Sequence, residues 1–289
     1  MRLLSLLLLA GLLPACAAPE SGTPEFFAMD TAARLAPPEN TELLARLGYS
    51  GLGGRPSTAR VHAEALRTKG LRFLNAYHVT RIDARTDALP SDLVRAVDDL
   101  AGLDAVLWLA IQKVELGDAS AARPAEQERE AAVDATLRRL LAYAGPRKVR
   151  VSLYPHANFW GDRFETCLRA VERVHDPRLT VTFNLCHWLK VEGGQADPLP
   201  LIRRAGPKLE FVTINGADAG DTAKMGWDRL IQPLGRALMM SALSSRACAP
   251  PGIADLSVSR ATASRWSRSP FSPKPWPLGR RWGSRVYWA

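Results

Sequence analysis

Two imidazoles stand where a side chain can move protons. His156 closes the run Val151-Ser152-Leu153-Tyr154-Pro155-His156, and His187 follows Thr182-Phe183-Asn184 by three residues. Imidazole changes charge near neutral pH, so it can take a proton and return it under ordinary conditions. With Lys190, one turn further on, these two histidines form the candidate catalytic set. A second set offers hydrogen bonds rather than proton transfer: Asp30, His78, Gln112, Tyr154, Asn184, Asn215 and Asp218, each at or just past the end of a short apolar run. Asp218 lies in Asn215-Gly216-Ala217-Asp218-Ala219-Gly220-Asp221, which has the composition of a turn, and both it and Asp30 admit a structural reading beside the binding one. No dinucleotide fingerprint, phosphate loop or hydrolase nucleophile elbow is present. Gly51-Leu52-Gly53-Gly54 reads as a tight turn. Cys16, Cys167, Cys186 and Cys248 have neither zinc spacing nor a disulfide pattern, and Cys167 and Cys186 read as buried thiols.

Residues at the ends of apolar runs share a site only if those runs are parallel strands. The pattern supports this. Strands are predicted at 26–30, 49–53, 71–78, 105–111, 149–153, 179–184 and 209–215. Between them fall helices at 39–47, 57–69, 90–101, 125–144, 163–174 and 198–205, several with one apolar face. Strand and helix alternate at roughly 30 residues per unit, which favours an α/β fold with a parallel sheet. Seven such units make a (β/α)8 TIM-type barrel lacking a normal eighth strand. In that architecture the site lies at the carboxyl ends of the strands, where the residues above are found.

The segments Val151 to Trp160, Phe183 to Lys190 and Val212 to Asp218, with Leu47-Gly48-Tyr49, resemble the xylose isomerase-like barrel family of sugar phosphate isomerases and epimerases. The resemblance runs from about Phe26 to Arg236. It implies proton transfer between neighbouring carbons of a sugar, assisted by a divalent metal held by Glu, Asp, His and Glu on strands five to eight. Here those positions carry Tyr154, Asn184 and Thr213, and the fourth falls on the missing strand. Neutral groups are weak ligands for hard cations. The resemblance therefore implies the fold and a small-molecule sugar partner, with no metal ligand assigned and the cofactor left unknown. Three functions stay open. The first is an isomerase or epimerase with a degenerate metal site, the second a non-catalytic carbohydrate-binding barrel, and the third a protein resembling the metal-dependent endonucleases of the same fold.

The two ends of the chain differ from its body. Arg2, an apolar run from Leu3 to Leu13 and the small residues around Cys16 have the layout of a secretory signal over residues 1–18, followed by a linker at 19–24. Leu13-Pro14-Ala15-Cys16 also resembles a lipobox, so simple secretion and attachment to a membrane through lipidated Cys16 both stay open. Export favours a free or glycan-derived sugar over a phosphorylated one. The barrel is assigned to residues 25–236. Beyond it, residues 237–289 are rich in Ser, Arg, Pro and Trp and carry eight basic residues against Asp255 alone. They account for +7 of the net charge of +9. The body is thus nearly neutral, which argues against a nucleic-acid partner. The tail has the composition of a gene segment read out of frame, and no strand is expected in it. The first and seventh strands would then have bare edges and an open core, which predicts poor solubility and low stability.

Overall fold

A computed structural model describes residues 26–30, 36–117, 125–233 and 285–288. The expected signal, linker, Cys16 and Cys248 lie outside the described residues, as does nearly all of the tail. Eight strands form one sheet in sequential order, and every neighbouring pair is parallel. They are β1 (Phe27–Met29), β2 (Gly51–Gly54), β3 (Arg72–Asp83), β4 (Val106–Glu115), β5 (Arg150–Leu153), β6 (Leu179–Asn184), β7 (Leu209–Ile214) and β8 (Arg285–Trp288). Helices α1 (Glu39–Leu47), α2 (Ala59–Arg67), α3 (Ser91–Leu100), α4 (Ala125–Ala144) and α5 (Phe164–Val174) alternate with the first six strands. Three shorter helices follow, α6 (Leu185–Val191), α7 (Leu199–Ala205) and α8 (Trp227–Leu230).

The sheet has two apolar faces, as a barrel wall requires. Its outer face carries Leu52, Phe73, Ala76, Leu107, Leu109, Val151, Leu153, Val181 and Phe183, packed on helix residues such as Leu66, Val97, Leu137 and Val171. Its inner face carries Phe27, Leu74, Val106, Trp108 and Phe211. Trp108 meets Phe211 and Phe27 edge to face, with centroids 5.1 and 5.7 Å apart, the arrangement that ring quadrupoles favour. Phe73 and Ala76 point outward while Leu74 and Tyr77 point inward, a spacing that strict alternation forbids. The register shift between Leu52–Phe73 and Gly53–Asn75 supplies the extra residue, a bulge that brings both Leu74 and Asn75 inside.

Four expectations change. The strand predicted at 49–53 is β2, but it runs through Gly54, so the tight turn read from its glycines does not form there; the glycines serve close packing instead. A Cβ on Gly51 would lie 1.9 Å from the Arg72 carbonyl oxygen. Strands β3 and β4 run past their predicted ends, because Ile82 and Val114 continue the buried face beyond the charged Arg81 and Lys113. Residues 185–191, read as loop, form α6, started by Asn184, whose side chain accepts the His187 N–H. Among the described residues the barrel lacks a normal, closed eighth strand, as expected, but the tail is not without strand: it contributes the four-residue β8. β8 pairs with β7 from Phe211–Arg285 to Ile214–Trp288, so that edge of β7 is covered, although among the described residues no ladder joins β8 to β1.

Candidate active site

Strands β5 and β6 end side by side, and their loops build the site. After Tyr154 the β5 loop folds back on itself: the His156 N–H donates to the Gly161 carbonyl at 3.1 Å, and Asn158 takes a left-handed φ of 68°, which Asn tolerates. After β6 the chain passes directly into α6, so His187 lies in the first turn, 7% exposed and facing the β5 loop. The two imidazoles meet with ring centres 4.1 Å apart.

The backbone of a single residue, Ala157, fixes both rings. Its N–H donates to His187 Nδ1 at 3.2 Å, and its carbonyl lies 2.9 Å from His156 Nδ1. A carbonyl only accepts, so His156 carries its proton on Nδ1 and leaves Nε2 as an acceptor. A backbone N–H only donates, so His187 Nδ1 is bare and its proton sits on Nε2. The pair therefore offers one acceptor and one donor. Burial lowers the pKa of both rings, and with the added influence of His156 that of His187 falls to about 3. Both are neutral at ordinary pH.

The histidines line a cleft of about 370 Å³ with Ala157, Asn158, Phe159, Trp227 and Ile231. Phe159 stacks on His156 at 4.0 Å, and Trp227 meets the His187 ring edge on at 5.3 Å. Trp227 and Ile231 are 39% and 51% exposed, unusual for large apolar side chains among the described residues. Sequence reasoning missed Trp227 and Ile231. Trp227 begins α8, well past Ile214 at the end of β7, so a reading of strand ends does not reach it.

Beneath the histidines, Tyr77 and Tyr154 pack edge to face at 5.1 Å, and burial pushes the Tyr77 hydroxyl up to about 12 and that of Tyr154 up as well. The Asn184 amide donates to the Tyr154 hydroxyl, while its oxygen accepts from the His187 N–H and the Cys186 thiol. Burial holds the Cys186 and Cys167 thiols at about 12, far from reactive. Thr213 Oγ1 is buried without a hydrogen-bond partner.

The remaining predicted residues do not line this cleft. Lys190 Nζ donates to the Met225 carbonyl at 2.7 Å and lies 5.8 Å over the Trp227 ring, so it holds the cleft wall from behind. Asn215 is spent on the Gly216 and Leu230 carbonyls, and Asp218 on Arg229 and Gln232, which fix the chain after β7. His78 pairs with Asp92 at 3.0 Å, and Gln112 accepts from Arg81 at 2.7 Å. Asp30 lies against Gly54, where an added Cβ would come within 3.3 Å of its carboxylate. Among the described residues no group of three or more His, Cys, Asp or Glu side chains is arranged to hold a metal ion. Tyr154, Asn184 and Thr213 do not fit a hard divalent cation, since each is neutral and the first two bond to each other.

A parallel sheet of alternating strands and helices, with a candidate cleft at the carboxyl ends of its strands, defines a TIM-barrel protein. The chain belongs to the xylose isomerase-like TIM barrel family, whose model matches residues 43–243. No curated protein sequence matches it. Among solved structures it is similar to the IolI protein with a bound zinc atom (14% identity, TM-score 0.56, 77% of this chain and 84% of that one). It is also similar to 3-keto-D-glucoside 4-epimerase YcjR from E. coli (12% identity, TM-score 0.52, 72% and 86%). A third is the probable 3-DHS dehydratase AsbF from Bacillus anthracis (15% identity, TM-score 0.51, 68% and 74%). At these identities the likeness is one of fold.

Proposed function

We propose that this protein acts on a sugar or sugar derivative as an isomerase or epimerase, with the His156–His187 pair in place of a metal centre. The observation that carries this reading is the Ala157 clamp, which presents an imidazole acceptor beside an imidazole donor. In the proposed step His156 Nε2 takes the proton from the carbon next to a sugar carbonyl. The C–H bond breaks, an N–H bond forms, and the electron pair moves through the new carbon–carbon double bond to the carbonyl oxygen. His187 Nε2–H donates to that oxygen as its charge develops. A neutral imidazole suits this task, because it is a donor that does not have to lose its own proton. The hydroxyl proton on the deprotonated carbon passes directly to the former carbonyl oxygen, and the carbon–oxygen double bond re-forms at the deprotonated carbon. His156 returns its proton to the former carbonyl carbon, which completes an isomerisation. Inversion at one carbon would need a second acid on the opposite face.

The test is to incubate the full chain with aldoses and ketoses in deuterated water and follow exchange and conversion by NMR, with and without chelator. The reading expects exchange that survives chelation and disappears in His156→Asn. Exchange abolished by chelator would overturn the metal-free mechanism. Sugar binding with no exchange would favour a carbohydrate-binding barrel, a reading to which the mutual bond of Tyr154 and Asn184 already lends support. Export, either secreted or anchored through Cys16, is part of the same proposal. It rests on residues 1–18, and the mass of the mature N-terminal peptide tests it.

A further inference from the structure

We infer that the cleft selects an uncharged monosaccharide, with Trp227 as its stacking platform, and refuses sugar phosphates and sugar acids. The inference rests on the sugar reading above and adds the chemical class of the ligand. Its basis is the lining among the described residues: His156, Ala157, Asn158, Phe159, His187, Trp227 and Ile231 include no Lys, Arg, Asp or Glu. Of the nearby cations, Arg229 is paired with Asp218, and Lys190, which keeps its charge, is turned to the Met225 carbonyl and is not among the lining residues. A phosphate or carboxylate in this cleft would lose water beside Phe159 and Trp227 without gaining an opposite charge, a costly exchange.

The groups that are present suit a neutral sugar. A sugar ring has one face of C–H bonds, whose hydrogens complement the electron-rich face of an indole. Its edge carries hydroxyls, each able to donate and accept. One can donate to His156 Nε2 while its neighbour accepts from His187 Nε2–H, because Ala157 holds the two rings in opposite tautomers. The cleft's volume of about 370 Å³ is near the lower end of the range of about 300–1,000 Å³ for small-molecule sites, room for one sugar unit.

The experiment is titration calorimetry of the full chain with neutral hexoses and pentoses, the matching sugar phosphates and the matching uronic acids. Variants are Trp227→Ala, Trp227→Phe, His156→Asn and His187→Asn. In each histidine variant the new amide can still meet the Ala157 backbone, while the cleft-facing nitrogen is lost. A neutral sugar should bind, its phosphate and acid at least about tenfold more weakly. Trp227→Ala should weaken the neutral sugar by about tenfold or more, and Trp227→Phe should recover most of that. A phosphate or acid that binds as tightly as its neutral parent overturns the inference and leaves the sugar reading standing. Equal affinity in Trp227→Ala removes the platform. If no sugar of any charge binds, the sugar reading itself falls.

Discussion

Burying two neutral histidines makes the fold sensitive to acid, and the size of the effect can be worked out for His187. Its pKa falls from 6.5 to about 3 on folding, mainly because burial penalises the charged ring. The unfolded chain therefore binds a proton that the folded chain refuses. Stability is complete above about pH 6.5 and declines as pH falls towards the folded value, at about 1.4 kcal/mol per pH unit for one proton. Between about pH 6.5 and pH 5 this amounts to about 2 kcal/mol from His187 alone. His156 and His62, whose pKa values are also lowered by burial, add in the same direction. Above about pH 5 most carboxylates stay ionised, so the histidines dominate this window. Urea unfolding at several pH values across it should show the decline in the wild type. His187→Asn leaves an oxygen to accept the Ala157 N–H and removes the titrating ring, so its decline should be smaller by about 2 kcal/mol. Equal slopes in the two proteins would refute the claim that His187 is held neutral by burial.

Two further predictions concern the barrel that carries the site. Gly51→Ala places a Cβ 1.9 Å from a backbone oxygen that cannot rotate away. The loss should reach or exceed the upper end of about 1–3 kcal/mol by denaturant unfolding. Gly70→Ala, with nothing within 4 Å and φ of +69°, should show only the left-handed backbone cost of about 1–2 kcal/mol. Inside the barrel Ser152 and Thr182 hydroxyls bond at 2.8 Å with both residues fully buried. Ser152→Ala strands the Thr182 hydroxyl and should cost about 1–3 kcal/mol, and adding Thr182→Val should restore most of it. A double variant no more stable than the single one would count against this.

The fold was legible in the chain wherever a short apolar run was bounded by turn residues and followed by a one-sided helix, as from β3 through α5. The misreadings share a physical cause. A strand over 49–53 was legible, but the glycines of Gly51–Gly54 also read as a turn, because the close packing that requires them depends on Arg72 across the ladder. At seven residues α6 is too short for periodicity to separate it from a loop. β8 is a four-residue strand whose pairing with β7 is long-range. For the site, the positions of His156 and His187 followed from strand order, but their tautomers depend on the backbone of Ala157, which no side-chain pattern encodes. Asn215 and Asp218 followed a strand end as well, and Lys190 lay one turn past His187; only their partners reveal that they brace the walls.

The neutral cleft and the neutral floor beneath it form one electrostatic arrangement. A cluster of buried carboxylates without a cation would repel itself and lose solvation, so such ligands and their metal have to be present together or replaced together. Tyr154, Asn184 and Thr213 need no cation. Asn184 also links the two levels, since its amide reaches Tyr154 below while its oxygen receives the His187 N–H that begins α6. An Asp there would still cap the helix, but it would place a charge beneath two rings that burial keeps neutral and would favour their protonation. Burial is what keeps His156 without a second proton, and a neutral Asn184 adds no charge that would oppose it.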